Sequence, residues 1–90
     1  MPSLTAEQRK IRATAAQQLL DNDVLQGAFY ALQSDILRQL DQVKLDDRDV
    51  HMRLVMALQM SKAIEKQLWL LVQDGYEAAQ QIQLRGKRID

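Results

Sequence analysis

The feature that most constrains this chain is a run of apolar positions in its second half. Val50, Leu54, Ala57, Ser61, Ile64, Leu68, Leu71, Gly75, Ala78 and Ile82 alternate steps of four and three without a slip. That spacing holds one seam on one side of an α-helix through successive heptads. Ser61 and Gly75 are its only non-hydrophobic members, no proline interrupts it, and Gly86 is placed to stop it. The seam predicts one continuous helix over 47–85, ~55–60 Å long at ~1.5 Å per residue. Such a helix needs a partner along its apolar side, and the first half of the chain is the obvious one.

That first half reads as two helices. Thr5 with Gln8 forms a capping-box pattern, and the stripe after it is Ile11, Ala15, Ala16, Leu19 and Leu20, with Arg12 beside it facing solvent. Asp21-Asn22-Asp23 then interrupts, because short polar side chains compete for backbone hydrogen bonds. Asp23 with Gln26 is the expected N-cap of the next helix, after a kink or tight turn. Leu25, Phe29, Leu32, Ile36, Leu40 and Val43 give it a single apolar face. Lys44-Leu45-Asp46-Asp47 is the one convincing loop, with Asp46 or Asp47 free to cap the third helix. The expected fold is all-α, a single helical domain over 1–90 with helices at 6–21, 24–43 and 47–85. It is a long antiparallel helical hairpin, in which a kinked first arm of two helices packs on one long heptad-patterned helix.

Composition agrees and removes several functions. Leu, Ala, Gln and Met are prominent, while the 90 residues hold three glycines, one proline and no cysteine. Lacking cysteine, the chain has no disulfide scaffold, thiolate zinc site or thiol catalysis. Formal charge balances to zero, so whole-molecule attraction to nucleic acid or membrane is not expected. The longest apolar runs, Leu54 to Leu58 and Leu68 to Val72, fall far short of the ~20 residues of a membrane span. No secretory signal is read in the polar N-terminal segment, and a cytoplasmic location is the expectation.

Candidate chemistry is sparse. His51, the single histidine, is read as a surface residue rather than a ligand or base. Asp46, Asp47 and Asp49 lack the glycine and closing glutamate of a calcium loop, and helix capping explains them. No Gly-rich phosphate loop is present. No catalytic residue, cofactor, metal site or small-molecule substrate is therefore expected.

Surfaces are more informative. Met52, Met56 and Met60 lie four apart beside Leu54, Val55, Ala57 and Leu58, so apolar side chains point almost all round the helix. One neighbouring helix covers only part of them, and the remainder predicts a protein interface or homo-oligomer through Met52, Val55, Met56 and Met60. Trp69 and Tyr76 flank the seam, as core caps or as interface anchors. Gly75 either ends the helix early or admits another backbone; the pattern's resumption at Ala78 and Ile82 favours close approach. In an antiparallel hairpin Arg9, Lys10 and Arg12 meet Arg85, Lys87 and Arg88 at one pole. That pole is a candidate contact for nucleic acid or an acidic partner.

Two stretches also carry a resemblance. Ala16-Gln-Gln-Leu-Leu-Asp-Asn-Asp-Val-Leu-Gln-Gly-Ala-Phe29 is one; Asp47-Arg-Asp-Val-His-Met-Arg-Leu-Val-Met-Ala-Leu58, followed by Asp74-Gly75 and small residues, is the other. Together, over Ala13 to Ala79, they resemble short helical proteins of tailed bacteriophages, mostly uncharacterised and encoded among head and packaging genes. The basic ending Arg85 to Arg88 departs from that pattern. The resemblance implies a phage-encoded virion-assembly or accessory protein, in host cytoplasm or virion, with no catalytic residues to carry over. The leading expectation is a non-catalytic helical module that oligomerises or docks through its long helix. The alternatives are a nucleic-acid-associated DNA-packaging factor using the basic pole, and an inhibitor of a host enzyme.

Overall fold

The structure, a computed structural model, describes residues 3–87, the side chain of the last excepted. Three helices follow in order: α1, Ala6–Leu20; α2, Asp23–Gln42; α3, Arg48–Lys87. No strand occurs among the described residues. The expected all-α fold, two shorter helices paired with one long one, is the one the chain adopts. The helix α3 runs 40 residues without a break and passes straight through Gly75 and Gly86. Gly86 is thus a helix member here, not the expected stop.

Local chemistry sets the ends. Thr5 caps α1: its hydroxyl accepts from the Gln8 N–H at 3.1 Å, and its own N–H donates to Gln8 Oε1 at 2.9 Å. Asn22, not Asp23, caps α2, with Oδ1 accepting from the Leu25 N–H at 2.9 Å. Asp23 instead occupies the first turn, where its charge suits the positive helix end. Asp47 precedes α3; its carbonyl accepts from the His51 N–H at 3.2 Å and its carboxylate approaches the Val50 N–H at 3.5 Å.

The contacts divide the chain into two compact units, 1–21 with 67–90, and 22–66. In the first, α1 lies antiparallel to the C-terminal half of α3. Ala16, Leu20 and Val72 form its buried cluster, with Leu68 and Leu71 packed against it. Gly75 sets the distance between these helices. A Cβ added there would fall 2.1 Å from Ala13 Cβ, 3.6 Å from Ala13 Cα and 3.8 Å from the Arg9 carbonyl oxygen. Close approach, rather than helix termination, is the role of Gly75.

That approach shifts the expected face of α1, of which Ala16 and Leu20 are buried while the other members are not. Its buried residues are Ala6, Ala13, Ala16 and Leu20, whereas Ile11 is 70 % exposed and Ala15 and Leu19 also face outward. Helices this close admit methyl groups at the crossing, so side-chain size outranks hydrophobicity in choosing the face.

In the second unit α2 lies antiparallel to the N-terminal half of α3 across the Val43–Asp47 connection. Ile36 is the only buried apolar residue there, flanked by half-buried Leu25, Phe29, Leu40, Val43, Val50, Leu54 and Leu58. Leu32 faces outward and Gln33 takes its place in the contact. On α3, Leu58 and Glu65 turn inward where Ala57 and Ile64 were expected. The cause is polar. Ser61 is only 3 % exposed, and its Oγ accepts from Gln33 Nε2 at 3.0 Å, while Glu65 Oε1 accepts from the same amide. A buried hydroxyl needs a partner, and this one rotates Gln33 and Glu65 into the contact at the expense of Leu32 and Ile64.

Candidate interaction surface

The N-terminal half of α3 carries Met52, Val55, Met56 and Met60 on the side that α2 leaves uncovered; they are 62, 39, 52 and 65 % exposed. Their origin is in the sequence. Val50, Leu54, Leu58 and Ser61 occupy the α2-facing side, so apolar residues in between must point elsewhere. Met52, Met56 and Met60 step by four and continue to Ile64, also exposed, which makes one ridge along the helix. The ridge stands on an uninterrupted helix, so its geometry is fixed before anything binds.

Beside its first residue lies an open groove of about 490 Å³, lined by Leu45, Arg48, His51, Met52 and Val55. Its apolar walls face outward, and Leu45 on the connecting loop is almost fully exposed. His51 is half-buried rather than a free surface residue, and its enclosed Nε2 has no hydrogen-bond partner in the protein.

Trp69 and Tyr76 belong to the other unit and are 55 and 68 % exposed. Tyr76 walls a shallow groove of about 340 Å³ whose floor is Ala13, Val72, Gly75 and Ala79. Neither ring caps the core closely.

The basic cluster resolves into different environments. Arg9 lies along the α1–α3 contact with its side chain only 19 % exposed. Its Nη2 donates to Asp74 Oδ1 at 2.7 Å, its Nε reaches both Asp74 oxygens at 3.1 and 3.0 Å, and its Nη1 reaches Gln81 Oε1 at 3.1 Å. Arg12 is exposed, as expected, and its Nη2 also lies 3.5 Å from Oδ2 of the same carboxylate. The hydrogen bond from Arg9, then the charges of Arg9 and Arg12, hold the Asp74 carboxyl below its ordinary range against the opposing effect of desolvation. The same bond raises Arg9 above its usual value. Lys10 and Arg85 are exposed, the Lys87 side chain and Arg88 lie outside the described residues, and Glu77 approaches Arg9 at 3.9 Å. So Arg9 and Arg12 are counterions of Asp74.

Sequence reasoning missed Asp74 and the Gln33–Ser61–Glu65 group. Asp74 precedes the glycine of close approach, and a long basic side chain on α1 was the available signal for it. Among the described residues no group of three or more acidic, histidine or cysteine side chains could hold a metal ion. No helix there is long and apolar enough to cross a membrane. No protein-family model matches the sequence, and comparison with characterised proteins and with solved structures yields no match.

Proposed function

We propose that this protein is a non-catalytic helical interaction module that docks through the exposed side of its long helix. The observation that carries this reading is the ridge of Met52, Met56 and Met60 with Val55, solvent-facing on a continuous helix. Methionine suits such a surface, because its flexible, polarisable thioether adapts to the shape of another chain at little cost in packing. Burying one such side chain fully contributes about 1.5–3 kcal/mol, so a few of them supply a usable interface.

The resemblance of Ala16–Phe29 and Asp47–Leu58 to short helical phage proteins supports a virion-assembly or accessory role for the module. Commitment of Arg9 and Arg12 to Asp74 weighs against nucleic acid as the partner, because phosphate would have to displace a carboxylate already in place.

A photo-crosslinking residue at position 56, in the cells that make the protein, tests the reading. Discrete protein adducts are expected from position 56 and none from exposed position 34 on α2. Equal yields from both positions, or none from either, would end it.

A further inference from the structure

We infer that the occupant of the Met52–Met60 ridge is a second copy of this chain, packed ridge to ridge about a two-fold axis; this rests on the interaction reading above. The first ground is the imbalance within residues 22–66. Only Ile36 is a buried apolar side chain, while Val24, Tyr30, Leu37, Leu45 and the α3 ridge stand largely in solvent. A pair of helices with so thin a core needs a constant cover, and a chain identical to itself is always present when it is made.

The second ground is area. Leu45, Met52, Val55, Met56, Met60 and Ile64 are each between 39 and 93 % exposed. At roughly 100 Å² of apolar surface per such side chain, they leave on the order of 400 Å² uncovered. A standard interface takes roughly 800 Å² from each partner, of which a little over half is apolar. The patch matches that requirement.

The third ground is geometry and charge. Residues spaced by four form the ridge type that interdigitates with its own kind in the commonest helix-packing class. A two-fold axis presents the same ridge from both sides. The ridge side chains Met52, Met56, Met60 and Ile64 are uncharged, Arg48 stands beside Met52 in the groove, and the whole chain has formal net charge zero. Two copies therefore meet without the repulsion that keeps charged proteins monomeric.

Sedimentation equilibrium of the full chain across a wide concentration range is the test, with Val55→Glu/Met56→Glu as the variant. Wild type is expected to approach twice its 10.4 kDa mass. The variant should stay helical by circular dichroism and associate at least about a hundredfold more weakly, since each glutamate would carry its charge into an apolar contact. Because the variant could unfold instead, a nitroxide on exposed Gln59 of an otherwise wild-type chain gives an independent reading. Spin–spin broadening that disappears on mixing with unlabelled chain supports the assignment.

A wild type that remains monomeric, a folded variant that still dimerises fully, or a Gln59 label without broadening would each overturn it. Crosslinks from position 56 to chains of other mass only would leave the interaction reading standing and remove the second copy. No crosslinks at all would remove both.

Discussion

Replacing Gly75 by alanine should destabilise the protein, although alanine is the better helix former. The added Cβ would meet Ala13 Cβ at 2.1 Å, where carbon atoms rest at ~3.5–4.0 Å, so α1 and α3 must part by roughly 1.5 Å. Both atoms are fixed to backbone and no rotamer relieves the clash. Overpacking of this kind costs about 1–3 kcal/mol, and the gain in helix propensity offsets ~1 kcal/mol. A net loss of about 0–2 kcal/mol is expected, toward the upper end because the contact is rigid.

Gly27 provides the control. It lies within α2 with nothing inside 4 Å of an added Cβ, so Gly27→Ala should stabilise by about 1 kcal/mol. The same chemical change thus has opposite signs at two helical glycines. In Gly75→Ala/Ala13→Gly the clash vanishes, the remaining 3.6 Å approach to Ala13 Cα is ordinary contact, and stability should return close to wild type. Urea unfolding followed by helical circular dichroism, at one fixed protein concentration, measures wild type, these three variants and the Ala13→Gly single. A Gly75→Ala variant as stable as wild type, or a double variant no better than the sum of its singles, would show that the helices do not approach as described.

Three further outcomes arise from the polar contacts. Asp74 has a folded-state pKa below its ordinary 3.8, so its stabilisation is complete above that value and is lost as pH falls through the lower folded one. Asp74→Asn should lower stability at neutral pH and flatten part of the acid loss seen by thermal unfolding; Asp35, lowered by hydrogen bonds from Arg38 and Gln39, retains the rest. Gln33→Leu should cost about 1–3 kcal/mol by stranding the buried Ser61 hydroxyl, and adding Ser61→Ala should recover most of it in urea unfolding.

The long helix was legible because its signal is redundant: the heptad seam has many members, and Gly75 alone could not interrupt it. Helix ends were legible to within a residue or two, since Thr5, Asn22 and Asp47 have few alternative uses for their side chains. Faces were less so. Ile11 and Leu32 obey an apolar stripe yet face outward, because a close helix crossing and a buried hydroxyl each impose a demand that hydrophobicity does not encode. Those demands arise only between residues distant in sequence, such as Ala13 with Gly75 and Gln33 with Ser61. The exposed methionine ridge was legible for the opposite reason. Counting apolar residues around one helix shows that a single neighbour cannot cover them all.

Methionine oxidation is the most direct test of that ridge. Dilute peroxide followed by mass spectrometry gives a rate for each of Met52, Met56 and Met60, whose exposure in the single chain is 62, 52 and 65 %. In dilute purified protein all three should oxidise nearly as fast as free methionine. In the cells that make the protein, and in concentrated solution, Met56 and Met60 should be protected about tenfold or more, as burial removes their sulfur from solvent. Rates that stay at the free-methionine value under every condition would mean that nothing covers this face, and the ridge would be surface without a function.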